Sequence, residues 1–406
     1  MKQIKVITIA LVNILLFLLS VAHTQIIDGN VKLSTQEEVN AFAGTSITGF
    51  LTITGSDIDD LAPLSTLTSV GGDLYVAHNP ALTNLDGLSN LTSVGGRLHL
   101  ANNATLDNLN GLSNITVGSH LHIHLNDILT NLDGLSEITS VAGDLSIYRN
   151  AALTNLAGLR NITSVRGSLV IGSNYILTNL DGLSEITSVD GDLEIWSNAA
   201  LTNLAGLRNI TSVGSHLHIH LNDILTNLDG LSNITSVGGF LSIYRNAALT
   251  NLDGLSNITS VGRYLDIQYN ERLNSFCGLY PLLSSSGLGG NYSISNNLLN
   301  PTKQEVLDAG SCSPISSVVK DYKLLQNYPN PFNPTTTISF EVKESTSVLL
   351  KIYSISGQLV STLIDKKMQQ GRHSVTFNAS NLASGIYFYH IQMGHSKLTK
   401  KMTLLQ

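Results

Sequence analysis

Residues 82–105 read LTNLDGLSNLTSVGGRLHLANNAT, and the same frame restarts at Leu106, Leu129, Leu153, Leu177, Leu201, Leu225, Leu249 and Leu273. The step is 24 residues except between Leu106 and Leu129, where it is 23 because one residue is missing near Thr116 and Val117. Degenerate copies flank this array at about residues 47–81 and 273–300. The shared skeleton is L-x-x-L-x-G-L-x-x-I-x-S-V-x-G-x-L-x-I-x-x-N-x-x. A unit this short cannot bury an apolar face alone, but stacked copies place equivalent residues on top of one another. Alternation in the L-x-I segment sends Leu and Ile inward and the residue between them outward. An Asn recurs at 79, 103, 126, 150, 174, 198, 222, 246 and 270, where a column of amides bonds backbone groups of adjacent turns. The pattern predicts an all-β fold, a right-handed β-solenoid of about ten 24-residue turns, roughly 45–50 Å long at ~4.8 Å per turn.

Such an array needs capped ends. Ser34-Thr35-Gln36-Glu37 fits a capping box opening a short helix through Phe42. At the other end, Phe276-Cys277 and Ser311-Cys312 bracket the last degenerate turn. A Cys277–Cys312 bridge would close a loop of about 35 residues, worth ~3–4 kcal/mol by loop entropy.

Beyond the array, composition narrows the class. Two cysteines exclude a multi-bridge scaffold. An apolar content of 42% excludes disordered and collagen-like chains. A net charge of −7 argues against nucleic acid as a partner. The charge is uneven: residues 318–406 hold 10 Lys+Arg and 4 Asp+Glu of the chain's 22 and 29, leaving 12 and 25 for residues 1–317, so +6 against −13. At the start, Lys2 and Lys5 precede an apolar run over 6–21 and the small residues Ser20 and Ala22. That is the layout of a signal peptide over residues 1–22. The run is shorter than the ~20 residues a spanning helix needs, so no transmembrane span is expected in the mature chain. Export permits the disulfide. The expected plan is a signal peptide at 1–22, a capped solenoid at 23–312, a linker at 313–325 and a second domain at 326–406. The second domain alternates polar and apolar residues between Gly, Asn and Ser clusters, which predicts a small antiparallel Ig-like β-sandwich.

Two resemblances follow. The LxGLxxIxSVxGxLxIxxN frame over about residues 30–300 resembles the receptor L-domain branch of leucine-rich-repeat proteins. Val94 precedes Leu98 by four rather than three, which favours several short strands per turn over a strand-helix horseshoe. The resemblance implies an extracellular recognition or cell-wall module. Further on, Tyr328-Pro329-Asn330-Pro331-Phe332, the turn from Tyr353 to Gly357, Ala383-Ser384-Gly385-Ile386-Tyr387 and Lys397-Leu398-Thr399-Lys400-Lys401 follow in order. Together they resemble the type A C-terminal sorting domain of the type IX secretion system. This resemblance implies export across the outer membrane of a Gram-negative cell and interaction with the secretion machinery and its sorting peptidase. It also implies removal of the module, then release or attachment to the cell surface.

Candidate binding residues lie on the outward positions of the L-x-I strands, which vary while the core scarcely does. In one column Tyr148, Trp196 and Tyr244 recur every 48 residues, with Arg149 and Arg245 beside two of them. Such groups stack on sugars or anchor a protein. His120, His122 and His124 share one strand face, with His99 expected beside His122 on the previous turn. His216, His218 and His220 repeat the triplet. These imidazoles are candidate ligands for zinc, nickel or copper; solvated histidines without metal are the plainer reading, and no cofactor is assigned. The second triplet sits in a duplicate, since residues 118–141 and 214–237 differ only at Glu137 and Asn233. Threonine columns, including Thr130 and Thr154, suit strands and can also order water or ice. The N-x-T strings at Asn161, Asn209 and Asn257 read as repeat grammar. Asp192 and Glu194 are the only carboxylate pair on this face and lack a basic neighbour in their turn. No nucleophile elbow, phosphate loop or metalloprotease motif occurs. The expected function is therefore non-enzymatic: a secreted or cell-surface repeat protein for recognition or adhesion of glycan or protein ligands. A structural surface component without a specific ligand and a glycan-active β-solenoid enzyme are the alternatives.

Overall fold

The structure, a computed structural model, describes residues 25–311, 322–327, 329–369 and 371–405. The expected signal peptide, Cys312 and Tyr328 lie outside the described residues. The chain divides into two compact units, one running to Asn274 with Pro281–Asn300, the other comprising Ser275–Tyr280 and Pro301–Gln406.

The first unit is a repeating coil in which each 24-residue copy supplies three short elements. The L-x-I-x segment forms one strand of a twelve-stranded parallel sheet running from Val31–Leu33 to Tyr292–Ser295. Register advances one turn per strand, as in Leu121↔Leu145 and Ile123↔Ile147. The S-V dipeptides form a second face, split into a five-stranded sheet ending at Thr116–Val117 and a six-stranded sheet starting at Ser140–Val141. The split falls at the 23-residue copy, so the missing residue interrupts that ladder while the long sheet continues. The x-G-L tripeptides form 3-10 turns such as Ala157–Leu159. Here Asn155 Oδ1 accepts from Ala157 N at 3.0 Å. Gly158 is required by close approach: a Cβ there would lie 1.8 Å from Leu132 O on the preceding turn.

Seven apolar side chains per turn face inward. In one copy these are Leu145, Ile147, Leu153, Leu156, Leu159, Ile162 and Val165, all buried; each contributes roughly 1.5–3 kcal/mol by transfer. The Asn column is buried too. From Asn103 onward each amide accepts from the backbone N–H of the preceding turn's Asn and donates to a strand carbonyl, and Asn79 accepts from Gly55 N instead. Asn174 Oδ1 takes Asn150 N at 3.1 Å, and Asn174 Nδ2 reaches Ile147 O at 2.9 Å. This is the bonding that the sequence predicts. Just before each Asn the backbone turns left-handed, at Leu125 (φ 57°), Arg149 (φ 55°), Leu221 (φ 58°), Arg245 (φ 55°) and Tyr269 (φ 57°). That conformation costs about 1–2 kcal/mol for a non-glycine residue and is offset by the Asn bonds it makes possible. Nothing in the sequence marks it, because no glycine occupies the position.

The N-terminal cap is shifted from its expected place. Thr35, not Ser34, caps the helix Gln36–Asn40, accepting from Glu38 N at 3.2 Å. The Glu38 carboxylate bonds Ser34 N, and the helix ends two residues before Phe42. Both residue pairs satisfy the spacing; the helix starts at Gln36, which puts Thr35, in extended geometry (φ −140°, ψ 158°), at the capping position. The second unit contains a helix the sequence reading missed, Lys303–Ala309, with a full capping box between Thr302 and Glu305.

From Lys323 onward the second unit is an antiparallel sandwich. One sheet pairs Lys323–Leu324, Thr335–Val342 and Gly371–Asn378; the other orders Leu359–Met368, Thr346–Ser354, Gly385–Met393 and Ser396–Leu404. Its first strand begins at Lys323, inside the stretch read as a linker. Ile338, Phe340, Leu350, Ile352, Tyr389 and Met402 are among its core residues. The sorting-motif residues are structural supports here. Asn330 Oδ1 accepts from Thr403 N at 2.8 Å, and Phe332 exchanges backbone bonds with Thr403 and Leu405. The Asn330–Pro331 peptide is cis. Pro329 O accepts from the Thr336 hydroxyl at 2.8 Å. Gly357 (φ 82°) makes a turn, Gly385 pairs with Leu404, and Lys400 and Lys401 lie opposite Tyr389 and Phe388. Tyr387 donates to Ala383 O at 2.8 Å.

Candidate functional site

The outward side of the twelve-stranded sheet collects the candidate residues. Because register advances by one copy per strand, equivalent side chains line up across turns. His124 stacks on Tyr148 with ring centroids 4.5 Å apart and 7° between planes. His220 stacks on Tyr244 at 4.4 Å and 8°, and Trp196 lies near-parallel to His220 at 6.2 Å. Tyr148 and Trp196 are 6.4 Å apart, although two turns separate them in the column. Gly172 occupies the turn between and makes this possible: a Cβ there would lie 2.2 Å from Trp196 Cε2. The three aromatics that the sequence singles out thus belong to one ladder, His124–Tyr148–Trp196–His220–Tyr244. The sequence reading, which took these histidines as solvated groups with metal binding as the alternative, missed both histidine rungs and the role of Gly172. Ring faces lie against one another in the His124–Tyr148 and His220–Tyr244 stacks, while Tyr148 and Trp196 are tilted by 35°.

A second stack, unseen in the sequence, joins His216, Phe240 and Tyr264 at 3.9 and 4.0 Å, with Arg263 5.4 Å above Phe240. Arg245 lies 5.7 Å over the Tyr269 ring. Small outward residues are closed over by larger neighbours: Ser146 and Ser242 are 8% and 6% exposed. Beyond the strand ends the sequence reading missed an aliphatic row at a 48-residue step, Ile128, Ile176 and Ile224, with 46%, 46% and 45% exposure. Their signal was the alternation of N-x-I-L with A-A-L in successive copies.

The first histidine cluster is distributed unevenly. Ligand atoms of His120, His122 and Asp144 lie within 4.8 Å of one another. His99 meets His124 edge-on at 5.0 Å. In the second triplet His216 Nδ1 accepts from Phe240 N at 2.9 Å, and among the described residues no three metal-ligating groups gather there. Burial, reinforced by neighbouring positive groups, lowers His122 and His124 to about 4; burial and His218 lower His220 to about 4. His99 and His218 shift down for the same first reason. Burial, then Asp192, raises Glu194, while Asp192 Oδ1 accepts from His216 N at 2.8 Å.

The threonine columns and N-x-T asparagines are tied to backbone. Thr154 Oγ1 donates to Thr130 O at 3.0 Å, and Asn161, Asn209 and Asn257 donate side-chain N–H to carbonyls one turn back at 2.6–2.7 Å.

Comparison with known families agrees with both resemblances. Residues 25–110 match the Receptor L domain, and residues 326–404 match the Secretion system C-terminal sorting domain. No curated protein sequence matches the chain. The sorting domain marks the protein for export across the outer membrane to the cell surface or the extracellular space and implies interaction with the secretion machinery. Among the described residues no helix is long and apolar enough to cross a membrane.

Proposed function

We propose that the protein is a non-enzymatic surface or secreted receptor whose repeat face docks a protein ligand along the aromatic ladder. The continuous ladder from His124 to Tyr244 carries this reading. In its two close stacks, His124–Tyr148 and His220–Tyr244, ring faces lie against each other, which leaves less open ring face for a sugar and favours contact through rims. Rims of Tyr and Trp, the cations Arg149 and Arg245 and the exposed row Ile128, Ile176 and Ile224 make up the mixture of aromatic, arginine and aliphatic groups typical of protein interfaces. Glycan recognition is the competing outcome. The sorting peptidase would then act on the C-terminal module after it has delivered the receptor.

The test is a binding screen of the secreted full-length protein against extracellular matrix proteins and a glycan array, with Tyr148→Ala/Trp196→Ala/Tyr244→Ala in parallel. Protein binding weakened at least tenfold in a folded triple variant supports the proposal. Unchanged binding, glycan-only binding, or no binding by the folded wild type overturns it.

A further inference from the structure

We infer that His120, His122 and Asp144 form a surface site for a borderline divalent cation, with Zn²⁺ the best match to their donors. Asp144 N donates to His120 Nδ1 at 2.9 Å, and Asp144 Oδ2 lies 3.2 Å from the same nitrogen. The amide engages that nitrogen's lone pair, so the carboxylate oxygen beside it has no proton to accept there. A cation that takes the place of the Asp144 N–H at His120 Nδ1 meets imidazole and carboxylate together. The other carboxylate oxygen is engaged, taking Ser168 N at 2.8 Å, which fixes the group in place. Beside this pair, His122 Nε2 is a buried nitrogen with no hydrogen-bond partner. A buried polar atom without a partner is destabilising, and coordination to a metal satisfies it. Two imidazoles and one carboxylate are a donor set for zinc with an open position. The His120 and Asp144 side chains keep 31% and 37% exposure, which leaves that position to water or an external donor.

The duplicated copy supplies a built-in control. Residues 118–156 and 214–252 differ at three positions: Glu137/Asn233, Ala142/Gly238 and Asp144/Phe240. The last replaces the carboxylate by a ring stacked flat on His216 at 3.9 Å. One copy therefore has the complete donor set and the other lacks it, with nearly the same scaffold around both.

Titration calorimetry of metal-depleted full-length protein with Zn²⁺ tests the assignment, with circular dichroism confirming that each variant is folded. Wild type should bind one strong equivalent. His122→Ala and Asp144→Asn should each weaken it at least tenfold, His218→Ala should leave it unchanged, and Phe240→Asp should add a second equivalent. Equal losses in the His122 and His218 variants would mean adventitious histidine binding. No strong equivalent in folded wild type would reduce His120–Asp144 to an ion pair. Either result overturns the site.

Discussion

Replacing Asn174 by Ala should be among the most damaging single changes in the solenoid. Asn174 lies mid-column and is fully buried. Its Oδ1 is the acceptor for Asn150 N, and its Nδ2 serves Ile147 O. The variant leaves one buried N–H with no acceptor, at about 1–3 kcal/mol, and a carbonyl short of one donor, at a smaller cost. Together these give a loss of roughly 2–4 kcal/mol. Because each turn contacts only its neighbours, the loss acts on the coupling between adjacent turns, so the unfolding transition should broaden or split as well as shift. Asn297 makes equivalent bonds to Asn270 and Ile267 but retains 8% exposure at the last strand. Water can replace part of what it provides, so Asn297→Ala should cost less than half as much. Asn174→Asp separates the hydrogen-bond account from a packing account, since the shape is kept. At neutral pH the carboxylate faces Ile147 O with a second acceptor and a buried charge. Burial raises the folded pKa above the unfolded one, so the folded state holds the proton over that window and stability increases as pH falls. The assay is urea unfolding at 25 °C followed by far-UV circular dichroism, at pH 7 and pH 5. A loss below about 0.5 kcal/mol for Asn174→Ala, or equal losses at Asn174 and Asn297, would refute the argument.

Three further outcomes are expected. Gly158→Ala puts a Cβ 1.8 Å from Leu132 O, a backbone atom that no rotamer change can move; the cost should reach ~3 kcal/mol or more, read as a drop in urea midpoint or in soluble yield. Trp196 is the only tryptophan in the chain, so its fluorescence reports the ladder directly: Gly172→Ala should displace the ring, red-shift its emission and raise acrylamide quenching, while an unchanged spectrum would contradict the contact. His220 is held down to about 4 from an ordinary 6.5 by burial and His218, so between those pH values the unfolded state binds the proton and the folded state does not. Stability should fall as pH drops from about 6.5 to 4, and His220→Phe should flatten that slope in a thermal-melt series.

Most of the coil was legible because its grammar is redundant. Leu145, Ile147 and Val165 recur in kind in every copy, so the inward set and the strand register follow from spacing alone. The Asn column was legible for the same reason. What spacing does not encode is backbone conformation at residues without a chemical mark, hence the unseen left-handed turns at Leu125 and Arg149. Two adjacent hydroxyl residues at 34 and 35 offer the same capping pattern one step apart, and only the start of the helix at Gln36 decides between them. At the candidate site, His124 and His220 suggested solvated groups or metal ligands, because residue type and alternation say nothing of stacking between turns. Their ladder role depends on Gly172, a residue whose contribution is the space it leaves.

The duplication then shows how the chemistry of the outward face varies on a constant scaffold. Two nearly identical blocks carry the same histidine triplets on the same scaffold, yet their chemistry diverges with what lies next to them. The front neighbours of the first triplet are Arg97 and His99, and those of the second are Asp192 and Glu194. Behind the first lies Asp144; behind the second lies Phe240. One side is a cluster of polar donors, the other an aromatic stack continued by Tyr264. A fixed coil with a 24-residue period therefore lets a single exchange on an outward strand position convert a donor set into a hydrophobic contact without touching the core. On such a scaffold the unit of side-chain chemistry is the pair of adjacent turns, so variants should be designed across turns, as in Phe240→Asp opposite His216, rather than within one repeat.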